Sequence, residues 1–143
     1  MSGNIAIGIQ DFSTIIQGNY FYIDKTPFIK EWWDCGDSAT LITRPRRFGK
    51  TLTMSMVEQF FSIDYAGRSD LFEHLAIWKE EKYRELQGTY PVISLSFARI
   101  KERDYEKTKQ KMCEVLRNIY IKFCYIKDSE KLTDADRAYY ERM

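Results

Sequence analysis

A brief β-prone run, Ala39-Thr40-Leu41-Ile42-Thr43, enters a basic loop, Arg44-Pro45-Arg46-Arg47-Phe48-Gly49, and a helix-forming stretch follows from Lys50. That junction constrains the fold more than any other feature, because a strand handing over to a helix through a short loop is the repeating unit of a parallel sheet. The flanking sequence continues the alternation. Asp11 can cap a short helix that carries Phe12, Ile15 and Ile16 and stops at Gly18. Tyr20-Phe21-Tyr22-Ile23 reads as an aromatic strand, and Thr26-Pro27 opens a helix with Phe28, Ile29, Trp32 and Trp33 on one face before Gly36. Tyr90-Pro91-Val92-Ile93-Ser94-Leu95-Ser96-Phe97 is the best strand, with proline tolerable at its edge. The expectation is an α/β fold, a partial parallel sheet flanked by helices.

Between these runs lie further helical signals. The stretch from Lys50 places Leu52, Met56, Phe60 and Ile63 on one stripe. Asp70 with Glu73 makes a capping-box-like start for a helix over 71–75, and 78–86 reads as another, closed by Gly88. The longest helix is expected over about 103–127, with Asp104 in its first turn and Cys113 and Cys124 on one side. Thr133 with Asp136 opens a last helix. No repeat or Gly/Ser linker interrupts the chain, so 1–143 reads as one partial domain. It comprises an aromatic layer over 1–37, the loop and first βα unit over 38–64, and a helix-strand-helix unit over 70–143.

Composition narrows the function classes. Lys and Arg total 22 against 21 Asp and Glu, a formal charge of +1, so no overall field draws the 143-residue chain to nucleic acid or anionic membrane. No apolar run approaches a membrane span, and Met1-Ser2-Gly3-Asn4 lacks a basic region followed by an apolar core, which leads to an expectation of no membrane association and a cytoplasmic location. Three cysteines (Cys35, Cys113, Cys124) without C-x-x-C spacing are expected to be buried thiols, and a single histidine, His74, leaves little from which to build imidazole chemistry.

Gly49-Lys50-Thr51 sits where a phosphate-binding loop belongs. Glycine lets the backbone approach a phosphate closely. Lysine is a compact cation that reaches the β- and γ-phosphates, and the threonine hydroxyl can ligate Mg²⁺. The candidate cofactor-binding residues are Arg46, Arg47, Phe48, Gly49, Lys50, Thr51 and Leu52, with Lys50 the catalytic candidate, Thr51 the metal ligand, and ATP with Mg²⁺ the ligand. The general pattern G-x-x-x-x-G-K-[ST] asks for glycine at position 44, where this chain has Arg44. Pro45 then sets the loop entrance by stiffness rather than freedom. Between Asp37 and Glu58 there are four positive residues and no negative one. That cluster reads either as a solvated basic loop or as a phosphate or partner contact. Tyr22, Asp24 and Lys25 read either as pocket lining or as an aromatic strand followed by a polar turn. The three tryptophans (Trp32, Trp33, Trp78) are better placed in packing than in base stacking.

Asp11-Phe12, Tyr22-Ile23-Asp24-Lys25-Thr26, Thr43-Arg44-Pro45-Arg46-Arg47-Phe48-Gly49-Lys50-Thr51-Leu52-Thr53-Met54-Ser55-Met56, Leu71-Phe72 and the run from Tyr90 to Phe97 together resemble the bacterial AAA-ATPase-like domain family. The family loop looks like R-P-R-R-F-G-K-[ST], with which Arg44 agrees. The resemblance implies a P-loop NTPase-like ATPase core, in many members joined to a restriction-endonuclease-like C-terminal domain through which nucleic acid would be a partner. It also implies an acidic strand after the long helix. Ala98, Arg99, Ile100 and Lys101 supply no such acid, so the chain is expected to be the N-terminal portion of an ATPase, binding nucleotide without being competent to hydrolyse it alone. The competing expectation is a nucleic-acid-binding module using Arg44, Arg46 and Arg47. A small-molecule kinase would need an acceptor site and a base that are not found.

Overall fold

The computed structural model describes residue 5, residues 7–45 and residues 47–142; Arg46 lies outside them. The backbone groups into two compact units, Met1–Val92 and Ile93–Met143. The first carries helices α1 (Phe12–Gln17), α2 (Pro27–Cys35), α3 (Lys50–Phe61) and α4 (Glu81–Arg84), with single 3₁₀ turns at Ile63–Tyr65, Ser69–Leu71 and Ala76–Lys79. The second carries α5 (Tyr105–Lys122), a 3₁₀ turn at Cys124–Asp128, and α6 (Asp134–Glu141).

This arrangement overturns the expected α/β, P-loop NTPase-like parallel sheet. Among the described residues there is no strand, and the one β-type pairing is an isolated parallel bridge between Ser62 and Tyr90. The runs at 20–23, 39–43 and 90–97 do not pair with one another, and several of their apolar side chains lie open: Phe21 is 63% exposed, Leu41 85% and Ile93 61%. The physical reason lies in what β-propensity reports. Alternating apolar residues describe a side-chain pattern that fits a half-buried pleated surface, and without a neighbouring strand the pattern has nothing to pack on. The bridge forms instead because α3 and the residues before Tyr90 converge: Gly88 N donates to Phe60 O at 2.8 Å, Tyr90 N to Phe61 O at 2.8 Å, and Ile63 N to Tyr90 O at 2.9 Å.

The core of the first unit is aromatic. Phe12, Phe60 and Phe72 have no exposed surface, and Phe72 stacks on Phe12 at 5.1 Å and meets Phe60 edge-on at 5.1 Å. Trp33 stacks on Phe61 at 5.4 Å and Trp32 meets it edge-on at 5.7 Å, so both indoles pack as expected. Helix α3 is locked to α1 by polar contacts as well. Ser55 Oγ accepts from Phe12 N at 3.0 Å, and Gln59, buried to 2% exposure, donates to Asp11 Oδ1 at 2.6 Å.

Several local readings change. Asp70 makes no capping box; its carboxylate takes two hydrogen bonds from Arg68, at 2.8 and 3.0 Å, and the helix expected over 71–75 does not form, a 3₁₀ turn at Ser69–Leu71 ending where it would begin. The 78–86 helix breaks at Glu80, which is extended, into a 3₁₀ turn and α4. Ile63 falls beyond α3 and is 41% exposed. In the second unit Asp104 is the N-cap of α5, accepting from Lys107 N at 3.0 Å, and the helix ends at Lys122 rather than near 127. Thr133 and Asp136 form the full capping box of α6, and Tyr140 on α6 donates its hydroxyl to Tyr120 O. All three cysteines are exposed, not buried. No helix among the described residues is long and apolar enough to cross a membrane.

Asp11 carries the first stability prediction. Partial burial pushes its carboxyl up, but hydrogen bonds from Ser13, from the side chain and backbone of Thr14, and from Gln59 outweigh that and hold it below its ordinary value of 3.8. A carboxyl depressed on folding stabilises the native state above its unfolded pKa, and the contribution fades as pH falls through the folded value. Asp11→Ala should therefore cost about 1–2 kcal/mol at neutral pH. Urea titrations at pH 7 and at about pH 3 check it: the gap between wild type and variant should narrow in acid.

Candidate functional site

Helix α3 begins at Lys50 because Gly49 turns the chain with φ +75°. Two residues earlier Arg47 sits at φ +69°, a conformation uncommon for a residue with a side chain, while Phe48 between them and helical Lys50 after them keep negative φ. Alternation of φ sign over 47–50 is a feature that this loop shares with the backbone nests that receive anions. The first N–H groups of α3, at Lys50, Thr51 and Leu52, have no acceptor within the helix, and the positive end of its dipole adds to them. Thr53 closes the turn: its N–H and its hydroxyl both donate to Gly49 O, at 2.9 and 3.0 Å.

The two lysines of the region meet this loop from different directions. Lys50 Nζ donates to Arg44 O. Lys25, from the turn before α2, donates to Phe48 O at 3.0 Å. A β-carbon on Gly49 would come within 2.9 Å of the Lys25 ammonium. Alanine at 49 would thus be strained in φ and would push that side chain away.

An open cleft of about 500 Å³ lies along the loop. Its lining includes Lys25, Arg44, Phe48 and Lys50, with Phe28 and Leu41 as apolar wall and Asp24 and Glu31 as the acids. The volume falls in the range of small-molecule sites. Of the residues expected from sequence, Phe48 and Lys50 line the cleft; Arg47 and Thr51 are exposed but are not among its described lining. Leu52 packs its side chain against the core and has only its backbone N–H to offer. Arg46 lies outside the described residues.

Of the alternatives left open, Asp24 and Lys25 line the cleft while Tyr22 turns to the core, its ring 5.5 Å from Phe12 and its hydroxyl 3.2 Å from Met56 Sδ. Burial is the main reason its phenol is pushed up to about 12, with the Asp24 charge adding and the Lys25 N–H opposing. Sequence reasoning missed Thr53, Phe28 and Glu31. Nothing in their spacing marks them: Thr53 closes the turn from four residues further along α3, and Phe28 and Glu31 reach the cleft from α2. Among the described residues no cluster of three or more His, Cys, Asp or Glu could hold a metal ion.

The model of a family described as a predicted AAA-ATPase, the AAA-ATPase-like family, matches residues 6–143. A protein of Azotobacter chroococcum mcd 1, described as an uncharacterized protein in the vnfD 5′ region, is 33% identical over 113 residues, covering 78% of this chain and 20% of that protein. The chain thus spans about a fifth of the length of that curated relative. No solved structure matches. With the match running from the residues before α1 through α6, and with the loop, its lysine and the cleft inside it, the chain belongs to the AAA-ATPase-like family.

Proposed function

We propose that the cleft binds a nucleoside triphosphate, ATP with Mg²⁺, through the loop that ends at Thr51. The observation that carries the reading is the geometry at 47–50: backbone φ alternating in sign, followed at once by a helix N-terminus bearing Lys50. A triphosphate presents several negative charges in a row, and a nest, a helix dipole and an ammonium group each favour such an anion without needing a particular side-chain partner. The chain's residues fit the ligand. Lys50 holds phosphate oxygens as a point charge, Gly49 permits close approach, and the backbone N–H groups of Phe48, Thr51 and Leu52 donate. Thr51, exposed on the first turn of α3, offers a hydroxyl to Mg²⁺, whose other ligands would come from phosphates and water. When bound, the metal neutralises phosphate charge.

The test is thermal. A ligand that binds only the native state raises its melting temperature, by about 2.7 kcal/mol of added stability at a hundredfold excess over Kd. Millimolar Mg-ATP should produce a clear upward shift in Tm, and absence of any shift in a folded sample would refute the proposal. A short DNA duplex is the control, because a loop with so few cations should lose any affinity for it as salt is raised.

A further inference from the structure

We propose that Lys25 is a second phosphate-contacting residue of this site, so that the polyphosphate chain is gripped by two ammonium groups, one before α2 and one at the start of α3. This rests on the nucleotide reading above and extends it to a residue outside the loop.

Three observations carry it. The first is what the lysines pair with. Elsewhere in the same unit Lys30 pairs with Glu80, and Lys82 with Asp34 at 2.7 Å. Lys25 and Lys50 instead rest on neutral backbone carbonyls, those of Phe48 and Arg44, and no ion pair to either is found among the described residues. A carbonyl engages one of an ammonium's three donors and leaves its charge uncompensated, whereas a phosphate oxygen brings the opposite charge to the bond. The exchange from carbonyl to phosphate is downhill for both.

The second observation concerns the neighbouring acid. Asp24 would be the natural partner of Lys25, yet its carboxylate is engaged elsewhere. Oδ1 accepts from Thr26 N at 2.8 Å and Thr26 Oγ1 at 2.7 Å, and Oδ2 accepts from Ala76 N at 2.7 Å. Third, the backbone that carries Lys25 is fixed. Its N–H donates to the Tyr22 hydroxyl at 3.3 Å, and the next residue, Thr26, is fully buried with its hydroxyl accepting from Ile77 N at 3.1 Å. A side chain anchored at its base and delivered to within 3.0 Å of the loop is a preorganised cation.

The experiment measures affinity for Mg-ATP and for inorganic tripolyphosphate in the wild type, Lys25→Met, Lys25→Arg and Lys50→Ala across a salt series. Lys25→Met should bind both probes about 10-fold or more weakly. The deficit should shrink as salt rises, since screening weakens what the charge contributes, and Lys25→Arg should recover part of it. A residue that only braced the loop would give a salt-independent deficit without rescue by arginine, and that result overturns the inference. So does wild-type affinity in Lys25→Met; if Lys50→Ala has meanwhile lost binding, the nucleotide reading stands without it. Failure of the wild type to bind either probe removes both. If Lys25→Met does not fold, the arginine variant decides by whether it retains the salt-dependent affinity of the wild type.

Discussion

Lys50→Ala is expected to remove half or more of the Mg-ATP-dependent rise in melting temperature while leaving the ligand-free protein nearly as stable as the wild type. The two halves of that expectation have separate causes. A hydrogen bond to a charged group contributes about 1.5–3 kcal/mol, so removing the ammonium should weaken binding by about 10-fold to 100-fold. At a hundredfold excess of ligand over the wild-type Kd, about half of the linkage stabilisation then disappears for a 10-fold loss and most of it for a 100-fold loss. The fold itself loses little. Lys50 is the first residue of α3, its side chain touches only the Arg44 carbonyl among the described contacts, and alanine is the best helix former. Differential scanning fluorimetry with and without Mg-ATP checks both halves. An unchanged nucleotide shift in the variant would count against the phosphate loop.

The largest effect on stability is expected at Phe72. Its ring has no exposed surface and sits between Phe12 and Phe60, at 5.1 Å from each. Truncating a fully buried phenylalanine to alanine costs about 3–5 kcal/mol, a sum of lost transfer energy and the cavity left behind. Against a total of about 5–15 kcal/mol for an ordinary domain, that is a large fraction. Phe72→Ala should lower Tm by on the order of 15 °C or more. Phe21→Ala is the matched control, since that ring is 63% exposed and should change stability by only about 0.5 kcal/mol. Comparable losses at the two positions would mean that the aromatic cluster does not hold the unit together.

Helix ends were readable from sequence where they depend on one or two neighbouring residues. Asp11, Pro27, Gly36 and the Thr133–Asp136 pair each act within a single turn, and α1, α2 and α6 begin or end where those residues place them. Gly49-Lys50 marked the start of α3 for the same reason. Local signals also failed where a neighbour competed: the capping signal at Asp70 lost to Arg68, two residues away, and Glu80 broke a helix that propensity alone would have continued. The sheet failed most completely, because a strand exists only in relation to a neighbour and a one-dimensional pattern does not say whether that neighbour is present. At the candidate site, the turn at Gly49 and the helix start at Lys50 were legible because they are contiguous. The contact of Lys25 with Phe48 is not legible in the sequence, since it depends on how a turn more than twenty positions earlier packs against the Ala76–Lys79 turn.

The open run at 93–97 has a bearing on handling and expression. Ile93, Leu95 and Phe97 alternate with serines and are 61%, 44% and 44% exposed. An accessible segment of that kind is a template for stacking like on like into a fibril core. The chain carries its own gatekeepers: Pro91 on one side breaks any continuous ladder, and Arg99 and Lys101 on the other set charge against charge when copies align. Those three flanking residues are therefore expected to oppose association of the run as the protein is concentrated.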